Sequence, residues 1–166
     1  MKKISIILVL AMILSFALIS CGDKKENDAE WKTSDYSPAS KVEALTALPA
    51  LADTSVFTAN DNPIDDDFDY YFGDATLMDG IEEYVFFTSK KASVAEAGIF
   101  KCKDKKTAEA LLKSFAERRE NLSETFKLYS PEDTNIALNM KTGSFDDIVW
   151  FAATNDNQSV ADIITK

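Results

Sequence analysis

The chain has 166 residues, with 18 Lys and Arg against 28 Asp and Glu, no His, and a formal charge of −10. That balance disfavours nucleic acid and anionic lipid as partners. The lack of His excludes Ser-His-Asp and Cys-His nucleophilic catalysis, and the five glycines form no phosphate-cradling loop.

Met1-Lys2-Lys3 opens the chain as a basic start, and an apolar run from Ile4 to Ile19 follows, interrupted only by Ser5 and Ser15. A basic start, an apolar core and a small residue before a cut describe a secretory signal peptide over residues 1–20. The run is shorter than the roughly 20 residues a spanning helix needs. Leu18-Ile19-Ser20-Cys21 resembles the lipobox of bacterial lipoproteins, with an aliphatic residue at −3 and a small one at −1. The resemblance implies a diacylglyceryl group on Cys21 and cleavage before it. A thiol suits that role because its thiolate is a strong nucleophile. Two acyl chains anchor stably where one binds only marginally. The expected location is therefore the extracytoplasmic face of the cell membrane. Cleavage removes Lys2 and Lys3, leaving 16 basic residues against 28 acidic ones, a charge of −12. The acyl chains then hold the protein without electrostatic help. Cys102 is left as a lone cysteine beside Phe100, and it reads as a small buried hydrophobe.

Residues 21–38 carry the lipidated Cys and a polar, charged stretch with too little apolar surface to order itself, so a flexible tether is expected there. Such a tether spans about 20–25 Å. Residues 39–166 are expected to form a single α+β domain. Val42, Leu45 and Leu48 predict a short helix opening near Ser40 and disturbed at Pro49. Residues 60–69 are acidic and rich in turn formers, and the aromatic run Phe68 to Phe72 predicts a short strand. The aromatic and β-branched residues 84–88 predict a strand, and residues 96–103 a second; Lys90-Lys91 marks the turn of a hairpin. Asp104 is a good N-cap, and Ala108, Leu111, Leu112, Phe115, Leu122 and Phe126 recur at three- and four-residue steps. They predict an amphipathic helix of about 20 residues packed on the sheet. Pro131 suits the first turn of another helix, through Leu138. The unbroken apolar run 148–153 fits a strand covered on both faces, and Asn155 or Asp156 caps a last helix to Ile164. The whole is a small, mostly antiparallel sheet of about three or four strands, packed by one long helix and shorter ones.

Tyr71-Phe72-Gly73 before Glu83-Tyr84-Val85, then Glu96-Ala97-Gly98-Ile99-Phe100-Lys101, Arg118 or Arg119, and Tyr129-Ser130-Pro131-Glu132 together resemble an uncharacterised family of small bacterial lipoproteins. That family is a domain of unknown function found mainly in low-GC Gram-positive bacteria. The resemblance runs from about Ser40 to the C-terminus and implies an anchored extracytoplasmic domain with no assigned activity. Asp146-Asp147, set between Gly143 and Ile148, departs from the pattern and makes the approach to the last strand unusually acidic.

Asp65-x-Asp67-x-Asp69 resembles the first half of a calcium loop, since hard cations want several oxygens at short spacing. The sixth position, however, is Tyr70 where Gly is needed, and the twelfth is Thr76 where Glu should close the shell. A solvated acidic loop is the plainer reading. Glu96 alternates with Phe100 and Cys102, so it points toward the apolar side of its strand. Arg118 and Arg119 lie on the long helix between Phe115 and Leu122. A pair of Glu96 with either arginine would satisfy a buried charge, or offer a tuned acid or an anion contact. The aromatic set Trp31, Tyr36, Phe68, Tyr70, Tyr71 and Phe72 lines a groove or packs the core. Glu82-Glu83 and Asp146-Asp147 are the candidate pairs for carboxylate hydrolysis, but neighbours in a strand point to opposite faces. No catalytic residue and no cofactor are expected. The leading expectation is a noncatalytic binding module for an envelope protein, peptide or wall component. The rivals are a carboxylate-dependent wall hydrolase and a calcium-responsive surface protein.

Overall fold

The computed structural model describes residues 31–64 and 67–166. The signal peptide, Cys21 and Asp65 lie outside these residues.

Strands β1 (Thr54–Thr58), β2 (Ile81–Ser89), β3 (Glu96–Cys102), β4 (Lys141–Phe145) and β5 (Ile148–Ala153) form one sheet in the order β1-β2-β3-β5-β4. Every pairing is antiparallel. The fold is thus α+β, as expected, but with five strands rather than three or four. The two additional strands, β1 and β4, are the edges. An edge strand pairs on one side only, and most residues of these two stay partly or fully exposed, so they lack the apolar run that marks β2, β3 and β5. The hairpin of β2 and β3 is present, with Thr88 opposite Glu96. Asp146 and Asp147 are the two-residue turn joining β4 to β5, because Phe145 pairs with Ile148.

The sheet has an apolar layer on each face. Tyr84, Phe86, Phe100, Phe151 and Val149 project to one side. There they meet helices α2 (Phe68–Phe72), α3 (Lys105–Phe126) and α4 (Pro131–Leu138). Val85, Phe87, Ile99, Trp150 and Ala152 project to the other side, against α1 (Val42–Thr46) and α5 (Asn157–Thr165). One long helix alone would have left that second face bare, which explains why all six residues of β5 are buried. Gly98 has to be glycine in β3: a Cβ there would stand 2.6 Å from the rings of Phe100 and Phe151.

Asp104 caps its helix as expected, and Ser130, which the sequence reading did not single out, caps the helix that Pro131 opens. Asp104 accepts from the Thr107 N–H at 2.8 Å, and Ser130 accepts from the Asp133 N–H at 3.1 Å. Of the two candidates for the last helix, Asp156 is the cap, accepting from the Ser159 N–H at 3.1 Å.

Two expectations are corrected. The run from Phe68 to Phe72 is a short helix, not a strand. Helical spacing puts Phe68 and Phe72 one turn apart, with ring centroids 4.8 Å apart, and sends Phe72 among Phe86, Phe100, Phe115 and Phe151. Packing overrides the β preference of aromatic residues. Gly73, at φ +79°, closes the helix in the left-handed conformation. Secondly, the end of the expected tether is bound to the domain. The fully buried Asp147 accepts from the Ser34 N–H at 3.0 Å and its hydroxyl at 2.5 Å. The Tyr36 hydroxyl donates to the Ile164 carbonyl, and Glu83 accepts from the Ser37 hydroxyl. Polar residues that cannot build a core of their own still gain order by bonding to a core already formed.

Candidate functional site

The long helix α3 crosses the sheet with Leu111, Phe115 and Leu122 facing it. Arg118 sits on the border of this stripe and reaches the first residue of β3. Its Nε donates to Glu96 Oε2 at 3.1 Å, and its Nη2 donates to Oε1 at 2.5 Å. The pair is bidentate, which matches the planar guanidinium to the planar carboxylate. Both side chains are withdrawn from water, Glu96 to 4% exposure and Arg118 to 11%. Thr88, opposite Glu96 on β2, adds a weaker hydroxyl contact at 3.5 Å. Burial pushes the Glu96 carboxyl above its ordinary range, against the opposing pull of Arg118.

Above the pair, α2 contributes two rings. Tyr71 stands 4.9 Å from the Arg118 guanidinium and 4.9 Å from Phe86, so it is braced from below. Tyr70 meets Tyr71 edge-on at 5.1 Å and is 75% exposed. The rings, the ion pair and the polar residues Ser93, Asn121 and Thr125 border an open cleft of about 270 Å³. Its floor is charged, its wall aromatic and its rim hydroxyl- and amide-bearing.

Of the two arginines on the helix, Arg118 holds Glu96; Arg119 is half-buried and does not line the cleft. Asp67 and Asp69 are exposed, and the Asp69 carboxylate accepts from the adjacent Tyr70 N–H at 2.9 Å. Among the described residues no group of three Cys, Asp or Glu is placed to hold a metal ion. The carboxylate pairs are separated: Glu82 faces Lys101 at 3.3 Å, Glu83 ties down Ser37 and Ala39, and Asp147 binds Ser34. The aromatic set divides as well. Phe68 and Phe72 are core, Tyr36 packs on Phe145, and Tyr70 and Tyr71 line the cleft. Cys102 is buried, and its thiol is pushed up to about 12 by burial, with Asp104 and Asp147 adding to the effect. Sequence reasoning missed Thr88, Asn121 and Thr125. The helical spacing of Asn121 and Thr125 from Arg118 was the available signal, but polar residues on a helix face are usually only solvated.

Fold and cleft together define a small α+β domain, an antiparallel sheet clad on both faces, with a polar cleft over a buried ion pair. The model of a protein family, Domain of unknown function (DUF4358), matches residues 64–154. The chain belongs to this family. The match includes every residue bordering the cleft. No curated protein and no solved structure matches the chain.

Proposed function

We propose that the chain is a lipoprotein of the bacterial cell envelope, of the Gram-positive type, whose domain binds a ligand over Glu96 and Arg118 without transforming it. Diacylglyceryl on Cys21 holds it to the extracytoplasmic membrane face, and its partners are wall components, peptides or envelope proteins within reach. The observation that supports binding is the position of the ion pair, at the floor of an open cleft. A buried pair adds little net stability, and apolar residues of the same volume often serve as well or better. A fold needing only to fasten helix to sheet at this point has cheaper means. A pair that faces a cleft also presents fixed donors and acceptors for a polar ligand.

The test has two arms on native protein extracted from membranes in mild detergent. Intact mass establishes the anchor: an N-terminus at Cys21 carrying a diacylglyceryl thioether is expected, and retained residues 1–20 or a free thiol there would remove it. Thermal shifts with soluble wall fragments, peptides and calcium establish the ligand class. A shift lost in Arg118→Met supports the cleft. A shift with calcium alone supports the calcium-responsive alternative, and wall turnover abolished by a carboxylate substitution supports the hydrolase.

A further inference from the structure

Resting on the binding reading above, we infer that the cleft takes a neutral ring: one saccharide unit, stacked on Tyr70 and hydrogen-bonded by the rim. Charge balance supplies the first argument. The charged groups bordering the cleft are Glu96, Arg118 and Lys91. Glu96 and Arg118 neutralise each other's charge, and Lys91 is paired with Asp53 at 2.5 Å. A charged ligand therefore meets no uncompensated counter-charge. The net charge of −10 further opposes an anion.

Shape supplies the second. A volume of about 270 Å³ lies at the small end of ligand sites and suits a ring-sized group better than an extended peptide. Tyr70 is an exposed aromatic held in place by Tyr71, which is itself braced on Phe86. The Arg118 guanidinium lies 6.0 Å from the Tyr70 ring centroid, and the rest of the ring is open to solvent. An aromatic side chain with only two torsions loses little entropy on binding and matches a group having one apolar flat side. A pyranose has such a side in its axial C–H bonds, with hydroxyls around its edge. Asn121 and Thr125, exposed and one helical turn apart, offer donors and acceptors for those hydroxyls, with Thr88 and Ser93 across the cleft.

The experiment titrates the full-length protein in detergent with neutral mono- to tetrasaccharides, with and without N-acetyl groups. A neutral tripeptide, a dicarboxylate and a diamine serve as comparison probes. Saccharide binding is expected, weakened roughly three- to tenfold by Tyr70→Ala and kept in Tyr70→Phe, because the ring and not its hydroxyl makes the contact. Affinity should not change with ionic strength, since no net charge is neutralised. Saccharide binding untouched by Tyr70→Ala would overturn the inference. So would exclusive binding of the peptide or a charged probe; if that binding were lost in Arg118→Met, the binding reading would stand while the saccharide fell. Failure of every probe to bind would remove both.

Discussion

Removing Arg118 tests the electrostatic account of the site most directly. In Arg118→Met the Glu96 carboxylate stays in its buried position and loses both guanidinium bonds. A carboxylate left so cannot remain charged cheaply; it takes up a proton instead. The cost of that protonation at pH 7 has a ceiling. A glutamate ordinarily titrates at 4.5, and each pH unit above that costs about 1.4 kcal/mol, so the ceiling is about 3.4 kcal/mol. The wild type already carries a part of it, because burial raises the Glu96 carboxyl even beside Arg118. The expected loss at pH 7 is therefore a destabilisation below the ceiling of about 3.4 kcal/mol. The sign in pH follows: for an acid raised in the folded state, the favourable contribution is complete below 4.5 and is lost as pH rises. The loss in Arg118→Met should shrink as pH falls from 7.5 to 5. Adding Glu96→Gln should restore most of it at pH 7.5, since the amide has no charge to bury. Asp104 and Asp156 do not confound the comparison. Their capping bonds hold them below 3.8, so their contribution is already in place above that value and is constant over this range. Urea unfolding at both pH values reads the effect as a change in midpoint at constant slope. A loss below about 0.5 kcal/mol at pH 7.5, or an equal loss at both pH values and in the double variant, would refute the reasoning.

Gly98→Ala should destabilise by about 1–3 kcal/mol, because the added methyl meets two core rings that are themselves fully packed; thermal unfolding measures it. Cys102 should resist a disulfide thiol reagent at pH 8 in the folded protein and react at once on denaturation, since its thiol is pushed up to about 12. Rapid labelling of the native chain would show that the β3 end opens locally. Ser34→Ala should cost about 1–2 kcal/mol by depriving the buried Asp147 of a partner, and hydrogen exchange should accelerate in residues 34–37. Unchanged exchange there would mean that Tyr36 and Ser37 fasten the segment by themselves.

What the sequence determined by itself was whatever depends on neighbours along the chain. The aromatic and β-branched runs of β2, β3 and β5 are local patterns, as is the three-and-four spacing of α3. The cap at Asp104 is read from a single residue, and the last helix start is narrowed to Asn155 or Asp156, since a side chain bonds an N–H only two or three positions away. The resemblance of Leu18-Ile19-Ser20-Cys21 to a lipobox is local in the same way. Tertiary structure decided what depends on distant partners. Phe68 to Phe72 has the composition of a strand and becomes a helix because four rings from other elements receive Phe72. The edge strand β4 carries little apolar signal and exists because β5 offers it bonds. Residues 34–37 look like tether until Asp147 is placed beneath them. Arg118 and Arg119 are both within helical reach of the stripe, and spacing alone could not choose between them. The choice fell to the start of β3, which enters on the side where Arg118 points. A helix fixes the angle between two side chains, but only the packed sheet fixes which of them meets a carboxylate.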